Sequence, residues 1–91
     1  MRKAETPWFC YIVRCSDDSL YVGIATDIEQ RVKRHNWGVG TTFTARRRPV
    51  VLVWSECCGL SEIARRREKE IKGWTREKKI QLIATAARKA R

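Results

Sequence analysis

Hydrophobic residues are spaced along this chain in two ways, one typical of strands and the other of helices. Aromatic and β-branched residues dominate 8–13, a Ser-Asp-Asp-Ser cluster that favours a turn follows, and 20–24 is again apolar. This pattern predicts a β-hairpin with strands near 8–14 and 20–25. A third strand is predicted near 49–55, and because it is apolar throughout we expect it to be central or covered on both faces.

Three segments carry the signals of helix starts and ends. Thr26 and Glu29 have the spacing of a capping box, and Gly38 follows the segment that they open. Ser61 is a suitable N-cap for a second helix, and Gly73 marks the break before a third. The predicted helices lie near 27–36, 61–72 and 75–87.

The resulting element order, β-β-α-β-α-α, predicts an α+β fold in which helices flank a small three-stranded antiparallel sheet, with a polar, basic loop over 38–48. The 91 residues suffice for one domain spanning 1–91, with a core over about 8–83 and a basic tail over 84–91. So short a chain excludes a deep, enclosed cofactor chamber, and an active site should lie on an open face. No apolar run approaches the ~18 residues of a membrane-spanning helix, so we expect no membrane association.

Cysteine usage bears on the cellular compartment. Three of the four cysteines lie in or beside apolar runs, where a reduced thiol serves as a small hydrophobic group. The alternative, a metal site, lacks the C-x2-C spacing that wraps zinc. The amino-terminal residues also lack the apolar core of a secretory signal. We therefore expect a reducing, cytoplasmic location.

Charge indicates the kind of partner. The formal net charge is +10, of which residues 61–91 contribute +7 and residues 1–60 contribute +3. Clustered cations interleaved with aromatic residues suit a phosphate backbone, because each neutralised phosphate releases counterions. A single basic run is as often a solvated helix face, but a whole domain of this charge favours nucleic-acid binding. The candidate binding residues are Arg46, Arg47, Arg48, Arg67 and Lys72.

One carboxylate stands out in the second predicted helix. Glu68 shares a helical stripe with Ala64 and Ile71, so it interrupts the face that should pack on the sheet. It is either paired with Arg65 or Lys72, each one turn away, or a ligand of Mg²⁺. Magnesium is commonly held by one or two carboxylates, and water and substrate phosphate complete its coordination.

Two pairs of side chains complete the candidates. Tyr11 and Tyr21 lie in the two hairpin strands and share one face of the sheet only if an odd number of residues connects the strands. The alternative to a functional role is that each tyrosine ring packs in the fold with its hydroxyl at the edge of the sheet. Gly23, on the same strand face as Tyr21, should leave an open spot where a backbone or ligand could approach closely. Arg31 and His35 share a face of the first helix, where ordinary surface roles are equally open; the histidine is the only one in the chain.

Five elements occur in order: Phe9-Cys10-Tyr11, Tyr21-Val22-Gly23, a helix with Arg31 and His35-Asn36, Arg67-Glu68, and Ile71-Lys72-Gly73-Trp74. Together they resemble the GIY-YIG nuclease superfamily, and more narrowly its small single-domain bacterial branch related to the excision-repair endonuclease module. The resemblance covers about residues 8–83. Phe9 and Cys10 replace the glycine and isoleucine of the first motif, and no asparagine follows Asn36 where many members have one.

The resemblance implies a DNA endonuclease that hydrolyses phosphodiester bonds with a divalent cation, Mg²⁺ or Mn²⁺, and that is structure-selective and linked to DNA repair or recombination. It assigns the cation to Glu68. Tyr11 would be the general base or position the attacking water, helped by His35. Tyr21 would bind the scissile phosphate or the water network, and Arg31 would stabilise the transition state.

Two non-catalytic interpretations stay open. One is a basic nucleic-acid-binding module in which the tyrosines and Glu68 are structural, and the other is a basic domain that docks on an acidic protein. Many single-module nucleases depend on another subunit for targeting, which leaves room for a protein partner. The sequence does not indicate the oligomeric state.

Overall fold

A computed structural model describes residues 6–89 of the chain. The elements in order are β1 (Trp8–Arg14), β2 (Leu20–Ala25), α1 (Ile28–Asn36), α2 (Thr42–Ala45), β3 (Val51–Gly59), α3 (Ser61–Lys72) and α4 (Arg76–Lys89). The predicted α+β fold is confirmed. One element was missed, because the single-turn helix α2 lies in the segment predicted to be a loop and is too short to show a helical periodicity.

The three strands form one antiparallel sheet in the order β2-β1-β3. The central strand is β1, which is buried from Cys10 to Val13. The prediction that the third strand is central was wrong: β3 is an edge strand, and Val51 and Leu52 at its start are 51% and 40% exposed. An apolar run indicates which side chains can be buried, but it does not determine which strands pair.

Helices cover both faces of this sheet. On one face, the side chains of β1 and β2 pack against Trp54 and against Ile71 of α3, with Leu82 and Ile83 of α4 at the margin. On the other face, Tyr11, Val13, Ala25 and Val50 pack with Ile28 and Val32 of α1. The second face is the one that carries both strand tyrosines.

Both predicted N-caps are displaced by one residue. Asp27, and not Thr26, caps α1, and its carboxylate accepts a hydrogen bond of 3.0 Å from the backbone N–H of Gln30. Leu60, and not Ser61, precedes α3, and its side chain makes no capping bond. Aspartate is at least as effective a cap as threonine, and its charge also favours the helix dipole.

The predicted basic tail is helical through residue 89, and its last two residues lie outside the described part of the chain. Within residues 6–89, no helix combines the length and apolar character needed to cross a bilayer. Cys10 and Cys15 are free thiols in the two core clusters.

Candidate active site

The hairpin brings Tyr11 and Tyr21 to one face of the sheet. Residues 15–19 connect β1 to β2, an odd number, so the condition for a shared face is met. In the pairing register, Val13 stands opposite Tyr21, and Tyr11 stands opposite Gly23. The two tyrosines are therefore diagonal neighbours on the face covered by α1.

Gly23 leaves the space that the Tyr11 ring fills. A Cβ atom at position 23 would lie 2.5 Å from the Tyr11 hydroxyl oxygen and 2.7 Å from Cζ. The open spot expected at Gly23 is thus occupied by a side chain of the protein itself, and no ligand can approach there. The glycine is needed because any side chain would displace the phenol.

A chain of hydrogen bonds runs from β1 through α1 to α2. The Tyr11 hydroxyl lies 2.9 Å from Nε2 of His35, and Nδ1 of His35 lies 2.8 Å from Oγ1 of Thr44. The exposed fractions of these residues are 1%, 1% and 0%. The imidazole also packs closely against the following loop, since a Cβ at Gly40 would overlap Nδ1.

Burial sets the charge states of this chain. Burial raises the pKa of Tyr11 to about 12, although the neighbouring Arg31 guanidinium opposes the rise. Burial and the charge of Arg31 both hold the pKa of His35 below its ordinary value. At neutral pH the phenol is therefore protonated and the imidazole is neutral.

Tyr21 has a different environment from Tyr11. Its ring is only half-buried, and it makes an edge contact with His35, at 5.5 Å between centroids, and a stacked contact with Phe43, at 5.9 Å. The Lys72 ammonium lies 5.6 Å from the Tyr21 centroid. Tyr21 is thus oriented by groups from α1, α2 and α3.

An open cleft of about 370 Å³ lies between the end of β2, α1 and the loop that precedes α2. Tyr21, Arg31, Arg34 and His35 contribute to its wall, and Asp27 is its one carboxylate. Arg31 Nη1 donates a hydrogen bond of 3.2 Å to the backbone carbonyl of Ile24. That bond holds the guanidinium at the wall, where its remaining N–H groups can meet an anion.

Glu68 lies beside this cluster, outside the lining of the cleft. Its side chain is 23% exposed and lies 3.3 Å from the ammonium of Lys72, so the ion pair considered for it is present with Lys72 as the partner. Lys72 in turn reaches the Tyr21 ring. The carboxylate is near enough to contribute to the raised pKa of Tyr11.

The donor set limits the kind of metal site that is available. Across residues 6–89, no three His, Cys, Asp or Glu side chains are arranged to hold an ion. A single, partly buried carboxylate still fits Mg²⁺ or Mn²⁺, since such ions keep several waters and take further ligands from substrate phosphate. Glu68 meets that requirement.

Three of the five candidate nucleic-acid-binding residues are engaged within the protein. Arg47 pairs with Asp17 at 3.1 Å, Arg67 pairs with Glu56 at 3.0 Å, and Lys72 pairs with Glu68. These three cations therefore support the fold as much as they present charge to a ligand. Asp17 and Glu56 are distant in sequence from Arg47 and Arg67, so these two pairings could not be predicted from residue spacing.

Arg46 and Arg48 have the exposure expected of phosphate ligands. Arg48 donates a hydrogen bond of 3.0 Å to the backbone carbonyl of Ala45, which orients its side chain without neutralising it. Neither has an ion-pair partner within the described 6–89 range. They flank a second open pocket formed with Asn36 and Pro49.

Helix α2 contributes two side chains to the site that were not predicted. Thr44 contacts His35, and Phe43 stacks on Tyr21, although both were assigned to a loop. The usable signal is the Thr41-x-x-Thr44 spacing: each threonine hydroxyl accepts a hydrogen bond from the backbone N–H of the other, which starts the helical turn.

Comparisons with known proteins identify the family. The family model described as the GIY-YIG catalytic domain matches residues 7–81. A UPF0213 protein of Haloquadratum walsbyi is 54% identical over 74 residues, which cover 81% of this chain and 83% of that protein. A UPF0213 protein of Staphylococcus aureus is 52% identical over 75 residues, which cover 82% of this chain and 92% of that protein.

Two solution NMR structures are similar to the whole fold. The UPF0213 protein from Bacillus halodurans has a TM-score of 0.57 and 38% sequence identity, with 87% of this chain and 84% of that chain covered. A protein from E. faecalis has a TM-score of 0.62 and 32% identity, with 94% and 92% covered. The predicted resemblance is confirmed, and the chain belongs to the GIY-YIG family, whose domains are generally nucleases that use divalent metal ions.

Proposed function

We propose that the protein is a metal-dependent DNA endonuclease that hydrolyses phosphodiester bonds at the cleft beside Tyr21. The observation that carries this proposal is the convergence of Tyr21, Arg31 and His35, which are separated in sequence, on one open cationic cleft. An open cleft admits a polymer, whereas an enclosed cavity would admit only a small molecule. Its positive wall suits a phosphate group.

Arg31 is the residue that we assign to the nonbridging phosphate oxygens. Hydrolysis of a phosphodiester increases negative charge on these oxygens in the transition state, and a fixed guanidinium stabilises that charge. The bond from Arg31 to the Ile24 carbonyl fixes the side chain before substrate binds. Arg34, on the same wall, extends the positive field.

The two tyrosines take different roles in this proposal. A general base must come within hydrogen-bond distance of the water that it activates, directly or through one other water. Because Tyr11 is 1% exposed and its hydroxyl is bound to His35, we do not assign the base role expected of Tyr11 to this residue. Tyr21 lines the cleft, and we assign to it the contact with the attacking water. Tyr11 then acts as a positioning residue for His35.

Glu68 is the residue that would hold the divalent cation, Mg²⁺ or Mn²⁺. A bound cation would supply charge neutralisation for the leaving oxygen and the phosphate. In its absence the Lys72 ammonium balances the carboxylate, and the same ammonium lies over Tyr21. Lys72 therefore adds positive charge on the α3 side of the site.

DNA is the substrate that the charge distribution favours. Arg46 and Arg48 are exposed beside the second open pocket, and α3 presents the exposed cations Arg65, Arg66 and Lys69. Separate groups of cations suit two DNA segments that diverge from one junction. We therefore propose flapped or branched DNA as the preferred substrate, with a role in DNA repair or recombination, and a cytoplasmic location, which agrees with free thiols in the core.

The test is cleavage of end-labelled single-stranded, duplex, flapped and branched DNA by the purified protein, with Mg²⁺, with Mn²⁺ or with EDTA. The expected result is cutting in either metal, none in EDTA, and the highest rate on flapped or branched DNA. Tight, salt-sensitive binding without cutting of any substrate would overturn the proposal in favour of a non-catalytic binding module. Equal binding to DNA and to polyglutamate would indicate a domain that docks on acidic proteins.

A further inference from the structure

We infer that the hydroxyl of Thr44 anchors the imidazole of His35 by accepting a hydrogen bond from Nδ1–H, in the tautomer whose Nε2 accepts the proton of the Tyr11 hydroxyl. Thr44 is thus a positioning residue, contributed by the single-turn helix α2. The tautomer itself follows from the hydrogen bonds alone, while its catalytic consequence rests on the proposed nuclease function.

The end of the hydrogen-bond chain at Tyr11 determines its direction. The proton of the buried Tyr11 hydroxyl needs an acceptor. Among residues 6–89, the atom that lies within hydrogen-bond distance of this hydroxyl and can accept is Nε2 of His35, at 2.9 Å. The nearby Arg31 guanidinium carries only donors, so it cannot accept the phenolic proton. The proton of Tyr11 therefore points at Nε2, which must be unprotonated.

The other end of the chain agrees with this direction. A neutral imidazole with a free Nε2 carries its proton on Nδ1, which lies 2.8 Å from Oγ1 of Thr44. The Thr44 hydroxyl can accept that proton because its own proton has two other acceptors within reach, the backbone carbonyl of Thr41 at 3.2 Å and Oγ1 of Thr41 at 3.0 Å. Each proton in the chain then has an acceptor.

The surroundings of His35 keep the imidazole neutral. Apart from its two hydrogen-bond partners, the groups that face it are the Tyr21 ring, the Arg31 guanidinium and the backbone at Gly40. No carboxylate among residues 6–89 accepts a hydrogen bond from it. A second proton would therefore be placed in an apolar site beside a fixed positive charge.

Removal of the Thr44 hydroxyl should leave the imidazole proton without an acceptor. An Nδ1–H facing a methyl group would be a buried, unpaired donor, which is costly. The close fit at Gly40 prevents the ring from moving to find another partner. The proton cannot move to Nε2 instead, because the Tyr11 proton would then lose its own acceptor. The ring pair Tyr11–His35, against which Tyr21 packs, would be disturbed.

The test uses the fact that His35 is the only histidine in the chain. Long-range ¹H–¹⁵N correlation spectra of the full-length protein at pH 7.5 report which imidazole nitrogen carries the proton. We expect Nδ1–H in the wild type, in Thr44→Ser and in Thr44→Val, with the Nδ1–H proton of Thr44→Val shifted upfield and exchanging faster with solvent because its acceptor is gone. An Nε2–H tautomer in the wild type would overturn the inference, as would a folded Thr44→Val protein whose Nδ1–H proton has the wild-type shift and exchange rate. Should Thr44→Val fail to fold, the wild-type and Thr44→Ser spectra still decide.

A cleavage assay adds the catalytic consequence. We expect Thr44→Val to lower kcat at least tenfold with KM unchanged, and Thr44→Ser to keep most of the wild-type kcat. If the wild type cleaves no DNA, the proposed function fails while the spectra still test the tautomer. If Thr44→Val loses the Nδ1–H hydrogen bond but cleaves at the wild-type rate, the positioning role is contradicted.

Discussion

Gly23 faces Tyr11 across the β1–β2 pair so closely that a Cβ atom at position 23 would lie 2.5 Å from the phenol oxygen. We expect Gly23→Ala to lower the free energy of unfolding by about 1–3 kcal/mol, because the core has no room for a further methyl group. Urea denaturation measures this change. Gly73→Ala is the matched control, since a Cβ there would meet ordinary contacts of 3.5 Å or more. Equal stability of both variants would show that the Tyr11 ring moves freely.

The buried, neutral state of His35 predicts a pH-dependent stability. Its pKa in the folded protein lies below the ordinary value, so on acidification the unfolded chain takes up the proton first. The stability is therefore complete above pH ~6.5 and falls as the pH is lowered through that value, by at most about 1.4 kcal/mol per pH unit. Urea denaturation between pH 7.5 and 5.5 measures this slope. A wild-type slope equal to that of His35→Gln would exclude His35 as its source.

The different environments of the two tyrosines predict different losses on removal of their hydroxyls. Tyr11→Phe should cost about 1–3 kcal/mol of stability, because Nε2 of His35 loses its partner in the core. Tyr21→Phe should leave stability nearly unchanged and lower kcat by about 10² or more, the usual contribution of a positioned acid or base. Unfolding curves and single-turnover cleavage measure both. Full activity of Tyr21→Phe with complete loss in a folded Tyr11→Phe would return the base role to Tyr11.

The ion pairs divide the candidate DNA-binding cations into two groups. Arg46 is exposed, whereas Arg67 is paired with Glu56 and Glu70. We expect Arg46→Gln to reduce the slope of log affinity against log salt by about 0.9, the effect of one lost phosphate contact on duplex DNA, and Arg67→Gln to change it little. Fluorescence anisotropy over a series of salt concentrations measures the slopes. A larger effect of Arg67→Gln would place the DNA on the opposite side of the protein.

Much of the fold follows from local patterns in the sequence. The hairpin has its strands and turn residues in neighbouring segments, and the long helices show amphipathic periods, so both were predictable. The position of β3 in the sheet was not predictable, because a third strand can pair with either edge of the hairpin, and here it pairs with β1. Helix α2 was missed because four residues show no period, although the Thr41-x-x-Thr44 spacing marks its start.

The parts of the candidate site that depend on the length of the hairpin connection and on residue spacing in a helix were predictable. The odd connection places Tyr11 and Tyr21 together, and the i, i+4 spacing places Arg31 beside His35. The burial of Tyr11 was not predictable, because it results from packing on Gly23 and under α1. The internal pairing of Arg47 and Arg67 also depends on distant carboxylates that only the tertiary structure brings close.

The most direct test of the nuclease proposal is single-turnover cleavage of a labelled flapped DNA in Mg²⁺ by the wild type, Glu68→Gln and Glu70→Gln. The two variants remove the same charge from the same helix, but Glu70 only pairs with Arg67. Loss of cleavage in Glu68→Gln, with wild-type DNA affinity and full activity in Glu70→Gln, is the result that we predict. Cleavage by Glu68→Gln at the wild-type rate would contradict the assignment of the metal-dependent site.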